Sequence, residues 1–144
     1  MSFKFDWQSF LQAAGDAIVA ATPEGKIVVW NPAAERIFGF MAEEALDRSL
    51  DIIIPERFRQ RHWAAYEKVM ASGQTRYGAD MLRVPALHKD GRPLSIAFTV
   101  ALLSSPDNKV ETIAAIIRDE TSRWNEEREM RRRLNELEER LKNN

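Results

Sequence analysis

Hydrophobic and polar positions along this chain change their period several times, and each change marks an element. Ala17 to Ala21 and Lys26 to Trp30 are short apolar runs joined by Pro23-Glu24-Gly25. That junction reads as a hairpin, because Pro23 presets the φ of a turn's second residue and Gly25 takes the positive φ that follows. Asn31 then places a capping side chain ahead of Pro32 at a first helical position, and Gly39 ends that helix. Upstream, Phe5, Trp7, Phe10 and Leu11 have an amphipathic spacing that predicts a short helix over residues 4 to 13, packed as a cap or set against a partner. Ala42 to Leu46 predicts a short helical turn. Asp51 and the run Ile52-Ile53-Ile54 lead to Pro55, which suits the first turn of a longer helix.

That longer helix is predicted over residues 56 to 72, where Phe58, His62, Ala65, Tyr66 and Val69 recur at spacings of three and four. They share one face, so His62 is expected to point inward. Arg57, Arg59, Arg61, Glu67 and Lys68 lie off the stripe and are expected to stay hydrated. After Ser72-Gly73 the period falls to two, predicting strands over 77 to 88, 93 to 104 and 109 to 118, divided by Asp90-Gly91 and Pro106-Asp107-Asn108. Pro85 cannot donate a ladder hydrogen bond, so its strand is expected at a sheet edge or with a bulge. Beyond Thr121 a heavily charged helix carries Met130, Leu134, Leu137 and Leu141 at spacings of four, three and four, a seam of two heptads. The apolar stripe predicts a homodimer through this helix, with the amino-terminal aromatics adding to the same contact.

Length and composition narrow the function. A chain of 144 residues builds one core with appendages. A net charge of -1, from 21 basic and 22 acidic residues, leaves no electrostatic footprint for nucleic acid or an anionic membrane. Cysteine is absent from the sequence, which removes disulfides, thiolate catalysis, zinc-thiolate sites and iron–sulfur clusters. No apolar run approaches the ~20 residues of a spanning helix, and the amino terminus lacks a signal peptide's apolar stretch, so a cytoplasmic location is expected. Two histidines and no acidic cluster at metal-ligand spacing cannot build a multi-histidine metal site. Nor do the six glycines form a phosphate loop, and no Gly-x-Ser-x-Gly elbow occurs. The chain is therefore not expected to be an enzyme. His88, near a hairpin turn, is expected on the surface, and Trp30, Trp63 and Trp124 are expected to serve packing.

The order of elements, together with Trp30-Asn31-Pro32-Ala33-Ala34, Phe38-Gly39, Lys89-Asp90-Gly91 and Asp119-Glu120-Thr121, resembles the PAS sensor family over about residues 14 to 121. The resemblance implies an α+β fold: a five-stranded antiparallel sheet of order 2-1-5-4-3, short helices and one longer helix over one face, and terminal helices. It divides the chain into a cap helix at 1–14, a sensor domain at 15–121 and a signalling or coiled-coil helix at 122–144. In that order the strand holding Pro85 is an edge.

The run Pro55 to His62 is similar to that of the rhizobial oxygen-sensor kinases, in which an Arg-His on this helix supplies the proximal haem ligand. Arg61-His62 falls in that register. The likeness implies haem b held by His62, with Lys68 and Arg76 beside the propionates and Phe98 and Val100 on an apolar distal wall. Leu82 stands where those sensors place a distal arginine, a departure that favours carbon monoxide or nitric oxide over stable oxygen. The lack of cysteine removes the photoadduct-forming flavin members and the yellow-protein type. Noncovalent flavin sites have no compact motif, so flavin remains an alternative cofactor. The expected function is a sensor of a diatomic gas or of redox state that passes its signal to the carboxy-terminal helix. The alternative is a cofactor-free dimerisation or interaction module, or a binder of a small apolar metabolite.

Overall fold

The computed structural model describes residues 3–74 and 80–144. Its elements run α1 (Trp7–Ala13), β1 (Ala17–Ala21), β2 (Ile27–Trp30), α2 (Pro32–Phe38), α3 (Ala42–Ala45), a 3-10 turn (Leu50–Ile53), α4 (Glu56–Ser72), β3 (Leu82–Leu87), β4 (Pro93–Ser104), β5 (Val110–Asp119) and α5 (Thr121–Lys142). The five strands form one antiparallel sheet in the order β2-β1-β5-β4-β3, as the resemblance implies.

Local chemistry explains the first half. Gly25 adopts φ +86° in the β1–β2 turn, and its N–H donates to Thr22 O. Asn31 is buried in extended conformation and satisfies four groups at once. Its Oδ1 accepts from Ala34 N–H, capping α2, and from Ile18 N–H of β1. Its Nδ2 donates to Leu11 O and Asp16 O, so a single side chain joins α1, β1 and α2. A buried amide is stable there because no hydrogen-bonding capacity is left unmet. Gly39 closes α2 at φ +83°, with its N–H on Glu35 O.

The core lies on one face of the sheet, where Val19, Ile27, Trp30, Ile96 and Ile117 meet Phe38, Ala45 and Ile53. Pro85 pairs with Ser95 on edge strand β3, and the register runs unbroken through it, so the edge position alone accommodates the proline. Both backbone polar groups of Ser95 are turned to the opposite side, its N–H to Thr121 Oγ1 and its C=O to Glu120 N–H. The pair Pro85–Ser95 is therefore a non-hydrogen-bonded one, and the missing proline N–H costs the ladder nothing.

Several expectations are corrected. The strand predicted from 77 begins at Leu82, residues 77–79 lying outside the described residues. Pro55 is the cap of α4 and precedes its first turn, since an extended ψ of 139° starts the helix at Glu56. The amino-terminal helix is no packed cap: Trp7 is 74% exposed, and Phe5, Trp7 and Phe10 stack edge to face on one another rather than on the sheet. Trp124 is half exposed beneath the Arg128 guanidinium, because α5 leaves the body of the domain after its first turn. His88 is not a surface residue. Its side chain is 13% exposed and rests on Gly39, where a Cβ would stand 2.4 Å from the ring. Lys89 N–H on Phe38 O draws the β3–β4 hairpin against α2 and buries the imidazole. In α5, Met130, Leu134, Leu137 and Leu141 form an exposed apolar stripe.

Candidate functional site

Helix α4 crosses the inner face of the sheet and is pinned there by three polar struts. Trp63 Nε1 donates to Asp51 Oδ1 at 2.7 Å, and Tyr66 OH donates to Thr22 O at 2.5 Å. Arg59, expected in water, instead donates to Ile54 O and Asp51 O. Asp51 O already accepts from Ile54 N–H, so the Arg59 guanidinium on the first turn of α4 adds a second donor there and supplies one to Ile54 O just past the 3-10 turn. The Trp63 ring lies against Gly25, close enough that any side chain at that position would collide with it.

Beyond these struts, toward the carboxy-terminal half of α4, the structure leaves an open cavity of about 600 Å3 between helix and sheet. That volume lies within the roughly 300–1,000 Å3 of small-molecule and cofactor sites. His62 and Lys68 line it from α4, and Leu82, Phe98 and Val100 line it from β3 and β4. Arg76 lies outside the described residues. Leu82 pairs directly with Phe98, and strand alternation brings Val100 to the same face while Arg83 points to solvent. Ala65 shares the helical stripe but is exposed, because the cavity leaves nothing packed above it.

Four polar residues that the sequence does not assign to the site also border the cavity: Arg61, expected only to stay hydrated, with Ser72, Gln74 and Asp80. Arg61 had a readable signal, since it stands seven residues before Lys68 and hence on the same side of the helix. Two cations thus flank the mouth. Among the described residues no group of three His, Asp or Glu side chains could hold a metal ion, so a metal here would arrive with most of its ligands supplied by another group.

His62 is partly buried, its ring edge-on to Trp63 at 4.7 Å and tilted over Tyr66 at 5.6 Å. Burial lowers its pKa below the ordinary histidine value, opposed in part by the Asp51 carboxylate. The imidazole is accordingly neutral at pH 7 and carries one free lone pair. Its Nδ1 is sealed from solvent and, among the described residues, is the buried side-chain polar atom without a hydrogen-bond partner. Nε2 is then the ring nitrogen that can meet a ligand in the cavity. Burial also pushes the Tyr66 hydroxyl up to about 12, consistent with its role as a donor to Thr22 O. The donor set fits a flat, mostly apolar group with anionic substituents: one neutral imidazole, apolar walls and two cations at the mouth.

A family model described as PAS fold matches residues 6–119. The chain is 32% identical over 94 residues to an uncharacterized protein of Azorhizobium caulinodans, covering 65% of this chain and 13% of that protein. It is 36% identical over 55 residues to the sensor protein FixL of Bradyrhizobium diazoefficiens, covering 38% of this chain and 11% of FixL. With the oxygen sensor protein DosP of Escherichia coli the figures are 27% over 94 residues, 65% and 12%. The chain thus spans between 11% and 13% of the length of these curated relatives. Among solved structures, the PAS domain of a Colwellia psychrerythraea protein superimposes with a TM-score of 0.70 at 20% identity, covering 80% of this chain and 94% of that one. An RNA-binding light-oxygen-voltage receptor gives a TM-score of 0.73 at 21% identity, covering 89% and 36%. At these identities the likeness carries the fold alone.

Proposed function

The chain belongs to the PAS family and is a sensory domain, and from that premise we propose that it binds haem b through His62 and responds to a diatomic gas or to redox state. In this reading it acts by binding rather than by catalysing a reaction, as a cytoplasmic homodimer whose output is the helix Thr121–Lys142. The observation that carries the reading is a lone imidazole, kept neutral by burial, on the wall of an apolar cavity with Arg61 and Lys68 at its mouth.

Haem, if bound, would supply an iron centre able to take a diatomic gas or to change redox state. The chain does the rest. His62 offers the Nε2 lone pair, and Arg61 and Lys68 neutralise the carboxylates of the cofactor. Leu82, Phe98 and Val100 present an apolar wall without a side-chain hydrogen-bond donor. A wall without donors would suit a ligand that needs little hydrogen bonding, such as carbon monoxide or nitric oxide, better than oxygen.

Absorption spectroscopy of protein reconstituted with haem tests the proposal. A Soret band at one haem per chain is expected, and His62→Ala should lose it or recover it only with added imidazole. An unchanged Soret band in that variant removes His62 from the role, and no band in the wild type removes the cofactor. The second outcome selects the alternative of a cofactor-free interaction module. One observation favours that alternative: metal-bound imidazoles usually donate their second N–H to an acceptor, whereas Nδ1 of His62 meets none among the described residues.

A further inference from the structure

Charges on α5 are sorted by their distance from the apolar seam. On the side of the helix away from Met130, Leu134, Leu137 and Leu141, they are paired within the chain: Arg132 meets Glu129 and Glu136, and Glu129 also meets Arg133. Beside the seam the pattern changes. Glu126, Arg131 and Glu138 flank it, and among the described residues none of the three makes an ion pair. We propose that these flanking charges select a second copy of this chain, aligned parallel and in register, with Glu126 of each copy meeting Arg131 of the other and Arg133 meeting Glu138. This pairing rests on the homodimer reading above and adds to it the orientation and register of the two helices.

Heptad geometry carries the assignment. With Met130 and Leu137 at d and Leu134 and Leu141 at a, residues 126 and 133 fall at g and residues 131 and 138 at e. In a parallel coil each g residue faces the e residue five places further along its partner, and these pairs set orientation and partner choice. Glu126 then meets Arg131, and Arg133 meets Glu138, each twice across the two-fold. Sliding one helix by a heptad still packs apolar side chains on one another, but it sets Glu126 against Glu138 and Arg131 against Arg133. Reversing one helix keeps all four seam residues in contact and leaves Arg131 beside Glu138, but it brings Arg133 against Arg140. Among these alignments, the in-register parallel one alone joins opposite charges at every flanking pair, and the like-charge contacts disfavour the others.

The residues ahead of the seam act in the same sense. Arg123 and Glu127 occupy its preceding d and a positions and neutralise each other within the helix at 3.3 Å. In register they lie opposite their own counterparts at the open start of the coil. Slid by a heptad, the Glu127 carboxylate would be packed against Leu134, where desolvation opposes it. Polar residues at seam positions fix register at a cost in stability. The stripe itself supplies the attraction, since its four side chains are 54 to 76% exposed in the single chain. Its anchor gives the orientation a consequence. Thr121 is bonded to Ser95 of β4, so parallel helices hold both sheets at one end of the coil.

Cysteine is absent from the sequence, so single introduced thiols read the alignment directly. The full chain carrying Met130→Cys, the full chain carrying Leu141→Cys and an equimolar mixture of the two are oxidised in air, and mass spectrometry identifies the links. Each variant should link to itself, and the mixture should contain links between like positions only. Sedimentation equilibrium should find Arg131→Glu dimerising roughly tenfold more weakly, because two attractive pairs become repulsive. Adding Glu126→Arg to that chain should restore the affinity to within about threefold of wild type. Links between positions 130 and 141 overturn the orientation while leaving the homodimer in place. A double variant as weak as Arg131→Glu alone overturns the pairing of charges, and a wild-type chain that is monomeric at micromolar concentration overturns both this alignment and the homodimer beneath it.

Discussion

Replacing Gly25 with alanine probes the contact that sets the height of α4 above the sheet. Gly25 sits at φ +86°, and an L-residue in a left-handed conformation costs roughly 1–2 kcal/mol. The new Cβ would lie 2.2 Å from Trp63 Cη2 and 2.5 Å from Cζ3, on the rigid body of an indole rather than a pliable chain end. The ring must therefore move, and in moving it gives up the 2.7 Å bond from Nε1 to the Asp51 carboxylate. A bond to a charged acceptor contributes about 1.5–3 kcal/mol. Gly25→Ala should then destabilise by about 3–5 kcal/mol, which for a domain of this size lowers the melting temperature by roughly 10–20 °C. Urea unfolding of a double-mutant cycle separates the two causes. In a Trp63→Ala background only the backbone cost remains, so the coupling energy should be about 1.5–3 kcal/mol. A cost below about 1 kcal/mol, or the same cost in both backgrounds, would refute the steric and hydrogen-bond reasoning together.

Three other expectations can be checked directly. Tyr66→Phe removes the hydroxyl that donates to Thr22 O and should cost about 0.5–1.5 kcal/mol by chemical denaturation, more if the abandoned carbonyl finds no water. In haem-free protein, burial depresses the His62 pKa below its ordinary 6.5, so the unfolded chain binds that proton more readily: stability is full above 6.5 and is lost as pH falls through the folded value. The drop in urea midpoint between about pH 7.5 and about pH 5 should shrink in His62→Leu, and an identical drop would assign the pH effect elsewhere. Finally, sedimentation should find the full chain dimeric at micromolar concentration and a chain cut after Thr121 largely monomeric, since the cut removes the stripe Met130, Leu134, Leu137 and Leu141; a monomeric full chain contradicts the assembly.

Features governed by neighbours along the chain were legible in the sequence. The Asn31-Pro32 cap, the αL position of Gly39 and the turn at Gly25 depend on residues within a few places of one another. The limits of α4 at 56 and 72 and of β4 at 93 and 104 likewise follow from local stop signals and period. Helical phase gives direction but not depth. It places Ala65 and His62 on one stripe, yet the two differ because a cavity opens above one and Trp63 and Tyr66 crowd the other. Arg59, His88 and Trp124 were misjudged for the same reason, since each environment is set by a segment distant in sequence. Of the cavity wall, the phase of His62, Ala65, Tyr66 and Val69 came from periodicity, and Lys68, Leu82, Phe98 and Val100 came from the family likeness.

The sheet register links the cavity to α5. Side chains alternate across β4, so Phe98 and Val100 border the cavity while the backbone of Ser95 is tied on the edge facing β5. Ser95 N–H donates to Thr121 Oγ1 at 3.0 Å, and its C=O accepts from Glu120 N–H at 2.8 Å. Asp119 Oδ1 holds the same threonine through both its N–H and its hydroxyl. The first turn of α5 is thereby bonded to β4 one residue from Ile96. By contrast the Arg118–Asp16 pair, which joins the end of β5 to the segment after α1, is exposed at 3.3 Å and holds weakly in water. In the proposed sensor, a displacement of β4 by an occupant of the cavity would reach the start of α5 by two routes, the bonds at Ser95 and the paired strand β5, whose Asp119 holds Thr121. Under the proposed function, the two bonds at Ser95 and the exit of β5 through Asp119 together would set the direction in which α5 follows.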